Sequence, residues 1–272
     1  MSLEPLVICR REMLRMTTGS MLSIGLWPNG ALSASQARGF VFLVANDLHY
    51  RDTRCAAWLE TVAHSMKRHD ADFCVLNGDI SENGTVDQLA SVRSIFAPLG
   101  MAVFATLGNH DYAVDHDRKA FEKIFPRRLN YYFEHKGWQF VVLDSTDGQR
   151  VFYTRVQETT LQWLDETLPH LDRNRPTVLL THFPLGPRVL CRPRNAPAVL
   201  ERFRNHNLRA VFNGHWHGYS RRDIGHATIA TNRCCSWWRK NRDGSPDKGY
   251  FLCRATSDGS IMHSFCAIKS VS

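Results

Sequence analysis

Polar signatures recur in fixed order behind apolar runs along this chain: Asp47-Leu48-His49, Gly78-Asp79, Gly108-Asn109-His110-Asp111, Thr181-His182, Gly214-His215 and Trp216-His217. The runs cover residues 40–45, 73–76, 102–107, 177–180 and 210–212, with helical patterns at 56–67 and 86–96 between the first three. The first half therefore reads β-α-β-α-β. Runs this apolar suit strands covered on both faces, as in a sheet with helices packed outside it. In open α/β sheets, sites form beyond the carboxyl ends of the strands, where the loops are free to aim side chains. The signatures stand at those ends.

The remainder predicts strands at 131–135 and 139–143, a helix near 156–171, and a β-rich end with strands at 227–230, 250–253 and 261–265. At 272 residues the chain can bury a sizeable core within one large α/β domain. Its 43% hydrophobic and 22% charged residues exclude a disordered chain, and no run suggests several membrane spans. A net charge of +8 favours anionic partners, without separating a phosphate ester, a nucleic acid, a membrane surface or a merely solvated basic face. None of the eight cysteines forms a CxxC pair. Cys74 and Cys253 lie inside apolar runs and are expected as buried free thiols.

Singly, Gly-Asn and Gly-His dipeptides are tight turns. Together and in this order they supply carboxylate, imidazole and amide donors for two cations sharing one bridging carboxylate. Asp47 and His49 stand two apart, so an extended strand end would point both to one side. His215 and His217 repeat that spacing about Trp216, and Gly214 gives the backbone room.

The order and spacing resemble the calcineurin-like metallophosphoesterase superfamily over most of residues 40–217. The resemblance implies a four-layer α-β-β-α sandwich with a dimetal site at the strand ends. By the same resemblance Asp47, His49 and His217 bind the first metal, Asp79 bridges both, and Asn109, His182 and His215 hold the second. An ionised carboxylate accepts on two oxygens, which suits Asp79. A neutral Asn109 leaves net positive charge to attract an anionic phosphoryl oxygen. A metal-bridging hydroxide would attack in line with the leaving oxygen. His110 would protonate that oxygen or stabilise the transition state, with Asp111 orienting its ring. The donors accommodate manganese, iron or zinc.

The motifs are closest to the cyclic-nucleotide and glycerophosphodiester branch, which implies a phosphodiesterase acting on a small phosphate ester, nucleotides among them. A broad-specificity phosphomonoesterase is the alternative, and a non-catalytic interaction scaffold of the same fold is a second class. No tyrosine near Ser81-Glu82 matches the purple acid phosphatases, and the capping regions of DNA-repair nucleases have no counterpart, so no stable nucleic-acid partner is expected.

The loop after His182 is basic and stiffened by prolines. Arg188, Arg192 and Arg194 are candidates for contact with an anionic substrate, or else belong to a solvated loop. Trp237 and Trp238 precede Arg239, Lys240 and Arg242, so a nucleobase could stack there, or the indoles pack within the β-rich end.

At the start, Arg10-Arg11-Glu12-Met13-Leu14-Arg15, a weakly apolar stretch over 16–27 and small residues over 31–37 resemble a twin-arginine export signal. Cys9, Met13 and Arg15 depart from the usual residues while keeping their character. The resemblance implies a signal over 1–37, a catalytic domain over 38–272, and export by the twin-arginine machinery to a periplasmic or other extracytoplasmic location. The alternative is the basic N-terminus of a cytoplasmic enzyme.

Overall fold

A computed structural model describes residues 38–268, and the signal-like segment over 1–37 lies outside the described residues. Strands β1 (Phe40–Ala45), β2 (Phe73–Asn77) and β3 (Ala102–Thr106) run parallel, separated by helices α1 (Thr53–Lys67) and α2 (Val86–Phe96). β10 (Gly249–Ala255) and β11 (Ile261–Ala267) complete this first sheet in the order β11-β10-β1-β2-β3. The second sheet has the order β4-β5-β6-β7-β9-β8. Its strands are β4 (Tyr131–His135), β5 (Trp138–Leu143), β6 (Thr177–Thr181), β7 (Leu208–Asn213), β8 (Ser220–Ile224) and β9 (Ala227–Thr231). Helices α3 (Lys119–Ile124), α4 (Glu158–Thr167) and α5 (Ala196–Arg202) complete the described α-helices.

Strand alternation explains both the continuous apolar runs and the four layers. In β1, Phe40, Phe42 and Val44 face the second sheet, joining Phe73, Phe140 and Phe212 in the central core. Leu43 and Ala45 face the other way, toward Leu59 and Val62 of α1 and Leu89 and Val92 of α2. On the far side Leu179 packs with Leu161 and Leu164 of α4 and Val199 of α5. The central layer is dense in aromatic rings. Phe42 and Phe73 stack at 5.1 Å between centroids, and Phe140 meets both edge-on. Each buried phenyl contributes roughly 1.5–3 kcal/mol by leaving water, which fixes one sheet against the other.

Helix α2 occupies the predicted span. Helix α1 begins earlier than its apolar periodicity, because the Asp52 carboxylate caps it by accepting from Arg54 N at 3.0 Å. The segment at 156–171 divides into α4 and a 3-10 turn at Leu168–His170, where Pro169 cannot continue the α-helical ladder. Strand β8 escapes sequence reading because Ser-Arg-Arg-Asp-Ile is a polar, largely exposed edge. Cys74 and Cys253 are buried free thiols, and burial pushes Cys74 up to about 12.

Candidate metal centre

The polar signatures gather where β1, β2, β3, β6 and β7 end. Their backbone is not extended: φ is 54° at Asp47, 48° at His49, 48° at Asp79, 64° at His215 and 51° at His217. The expectation of extended pairs is therefore corrected. These left-handed residues turn the loops after β1, β2 and β7 back across the strand ends, at roughly 1–2 kcal/mol each for a side chain other than glycine. Backbone bonds lace the loops together, with Asp47 N donating to Gly78 O at 3.0 Å, His49 N to Asp79 O at 2.9 Å, and Gly214 N to His182 O at 2.9 Å. Two glycines are required by contact. A Cβ on Gly78 (φ 85°) would stand 2.3 Å from His182 Nδ1, and one on Gly214 would stand 2.5 Å from Asp47 Oδ2.

The turns bring the side chains into two buried clusters that share Asp79: Asp47, His49, Asp79 and His217, and Asp79, His182 and His215. His215 and His217 thus serve different clusters although they stand two apart in sequence. In the first, His49 Nε2 faces His217 Nε2 at 3.1 Å and Asp79 Oδ2 at 3.6 Å, while His217 Nε2 lies 3.2 Å from Asp47 Oδ1. In the second, His182 Nε2 lies 3.3 Å from Asp79 Oδ1. Donors bound to one cation at about 2.1 Å stand roughly 3.0–3.4 Å apart, so the contacts at 3.1, 3.2 and 3.3 Å fit shared cations. One buried atom gives an independent test. Asn109 Oδ1 has no hydrogen-bond partner, an arrangement that is costly unless a cation satisfies it.

The electrostatics point the same way. Burial opposes ionisation of Asp47, yet His217 and His182 hold it well below the usual carboxylate range. Burial likewise opposes protonation of His182, but Asp79 outweighs it and raises the ring to about 9. Asp47 does the same for His217, raising it to about 10 against its burial. Burial lowers His49 to about 4, and burial with the charge of His182 lowers His215 to about 3, so these two rings stay neutral donors. The two buried carboxylates favour positive charge between them, which divalent cations would supply when bound.

Three of the four rings are aimed by the far nitrogen. His49 Nδ1 donates to Glu82 Oε2 at 2.8 Å, His182 Nδ1 to Asn77 O at 3.2 Å, and His215 Nε2 to Val151 O at 3.0 Å. Such contacts fix the tautomer and rotation of a ligating imidazole. Sequence reading did not single out Glu82 or Asn77, since a carboxylate three residues past Asp79 and an Asn closing an apolar run look like ordinary surface and turn residues. Asn77 is fully buried and also bridges the sheets, its Nδ2 donating to Thr181 O and Phe212 O, each at 3.1 Å. Glu82→Gln should weaken metal affinity by about 10–100-fold, read by titration of the apoprotein with Mn²⁺ or Zn²⁺; an unchanged affinity would remove Glu82 from this role.

His110 lies beside the first cluster, its ring 4.7 Å from that of His49. Its Nδ1 donates to the Glu82 carbonyl at 3.1 Å. Asp111 does not orient that ring. Its buried carboxylate instead accepts from Ile80 N, Ser81 N, Ser81 Oγ and Gly108 N at 2.8–3.2 Å, tying the Gly108 loop to the loop that carries Asp79. Burial and the Asp79 charge raise Asp111 to about 6 despite these donors. The polar backbone that turns toward it, rather than the neighbouring imidazole, claims its lone pairs.

The expected substrate residues divide. Arg192 Nε is held by Leu185 O at 2.8 Å, Arg194 lies over the Tyr153 ring at 5.2 Å, and Arg188 is exposed. Trp238 Nε1 donates to His49 O at 3.0 Å, and the guanidinium groups of Arg51 and Arg239 each lie 4.5 Å from its ring centroid. Arg239 also pairs with Glu82. Trp238 is thereby committed to holding the His49 loop, whereas Trp237 is 48% exposed, so the two indoles do not form one stacking surface.

Two buried donor clusters sharing a carboxylate, at the strand ends of a two-sheet α/β sandwich, define a dinuclear metallohydrolase. The chain belongs to the calcineurin-like phosphoesterase family, whose model matches residues 40–219. It is 29% identical to a 3',5'-cyclic-nucleotide phosphodiesterase of Nostoc sp. over 162 residues, covering 57% of this chain and 59% of that protein. The chain spans about three-fifths of the length of the curated relatives it matches. Among solved structures, a dimetal phosphatase from Danio rerio superposes with a TM-score of 0.63 at 17% identity, covering 83% of this chain and 98% of that one. A purple acid phosphatase from yellow lupin gives 0.66 at 13% identity, covering 88% and 53%. At these identities the structures establish a shared fold.

Proposed function

We propose that the protein is a phosphodiesterase acting on small phosphodiesters, with cyclic nucleotides as the leading substrate class. The observation that carries this reading is the pair of buried donor clusters joined through Asp79, with the His110 imidazole beside them. The name of the Nostoc relative supports the substrate class. In this reading Asp47, His49 and His217 hold one cation, Asn109, His182 and His215 the other, and Asp79 both. Manganese, iron and zinc all suit this donor set. When bound, the cations draw charge from the phosphoryl oxygens and activate water for in-line attack. The protein's own part is to fix the donors and manage the proton. With Nδ1 engaged by the Glu82 carbonyl, His110 keeps Nε2 for exchange with the leaving oxygen. Its side chain is 26% exposed, against 1% for His49 and 11% for His217, so it is the imidazole of this group that substrate can reach.

The test pairs metal analysis of purified protein with hydrolysis of bis(p-nitrophenyl) phosphate, p-nitrophenyl phosphate and 3',5'-cyclic AMP under metal supplementation. About two ions per chain and faster cleavage of the diesters are expected. Faster cleavage of the monoester would make it a phosphomonoesterase, and no metal uptake with no cleavage would leave an interaction scaffold.

A further inference from the structure

We propose that Phe152 and the Arg242 guanidinium form the platform on which the planar base of a nucleotide stacks while its phosphate lies at the metal centre. The proposal rests on the phosphoester reading above and adds the part of the substrate that distinguishes one ester from another. Phe152 keeps 53% of its surface exposed, and its neighbour Tyr153 keeps 78%. Two consecutive aromatic rings in water are costly to leave unburied. Tyr153 has a left-handed backbone, φ 57°, a conformation that an aromatic residue adopts rarely.

Their position ties these rings to the site. The residue before Phe152 is Val151, whose carbonyl accepts from His215 Nε2 at 3.0 Å. Arg242 N donates to His217 O at 2.7 Å, and the Arg242 guanidinium carbon stands 6.0 Å from the Phe152 ring centroid. The phenyl and the guanidinium are therefore each anchored through backbone to a different histidine of the metal centre. An aromatic face beside a positive charge suits a planar base joined to a phosphate, because the ring stacks on the base and the charge favours the anion. Trp238 is not available for this, being held to His49 O. The phenyl face reads no base edge, so stacking on Phe152 should separate esters with a base from those without one, for purines and pyrimidines alike.

The experiment measures equilibrium binding of adenosine 5'-monophosphate and ribose 5-phosphate to metal-loaded protein by calorimetry, with metal content measured in parallel. The two ligands carry the same phosphate and differ in the base. The native protein should bind the nucleotide about tenfold or more tightly than the sugar phosphate. Phe152→Tyr should keep that preference, and Phe152→Ala should bring it close to unity with both metal ions retained. A preference that survives Phe152→Ala, or the lack of one in the native protein, would overturn the platform. Phosphate release from either ligand is measured alongside, and affinities are taken from titrations in which neither is cleaved, so the two readings fail separately. Base preference without hydrolysis of any phosphoester would dismiss the enzymatic reading alone, and hydrolysis without base preference would dismiss the platform alone.

Discussion

Asp79→Ala is expected to leave a folded protein that holds fewer than one metal ion per chain and hydrolyses phosphoesters on the order of a thousandfold more slowly, or worse. Asp79 is 1% exposed and presents one oxygen to each cluster, Oδ1 at 3.3 Å from His182 Nε2 and Oδ2 at 3.6 Å from His49 Nε2. Removing it takes the shared anion from both cation positions together. It also frees His110 N, which donates to Oδ1 at 2.8 Å, so His110 loses its backbone anchor. The core should survive, because the aromatic layer between the sheets does not include Asp79. Circular dichroism should therefore match the native spectrum while metal analysis and turnover collapse. A variant that keeps two ions and normal turnover would dismiss the shared-carboxylate geometry.

His110→Ala should separate chemistry from metal binding. The loss of a positioned proton donor costs about 10²–10⁴-fold in turnover, while the Asp47, Asp79, His182, His215 and His217 donors remain in place. The loss should also depend on the ester. A p-nitrophenolate departs without needing a proton, whereas the alkoxide released from a cyclic nucleotide needs one, so cyclic AMP hydrolysis should suffer more than cleavage of bis(p-nitrophenyl) phosphate. Equal losses on both substrates would point to a positioning role, and near-normal turnover on cyclic AMP would remove the proton-transfer role. Loss of metal instead would place His110 among the ligands, beside His49 and Glu82, with which it forms a third group of donors.

Much of this was legible in the sequence, for a physical reason. Strands buried on both faces leave continuous apolar runs, so residues 40–45 and 73–76 announce themselves, and polar residues directly behind such runs have few structural explanations. The direction of the loops was not legible. Spacing alone suggests extended pairs at Asp47/His49 and His215/His217, but positive φ depends on how neighbouring loops bond to one another across the strand ends. Side chains that aim the ligands were equally hidden. Glu82 and Asn77 acquire their roles only when distant segments bring His49 and His182 against them. Asp111 shows the converse, since its place beside His110 suggested a partnership that the backbone donors of Ile80, Ser81 and Gly108 pre-empt.

Each donor cluster also draws on both sheets. The first combines Asp47, His49 and Asp79, from the ends of β1 and β2, with His217 from beyond β7; the second joins Asp79 to His182 and His215, from beyond β6 and β7. A cation in either position is a clasp across the open edge of the sandwich. Sliding one sheet along the other must then break bonds to metal before it disturbs the aromatic layer behind. Occupancy and mechanical integrity become one property, and the free cation concentration of the surroundings sets how firmly the two halves are held shut.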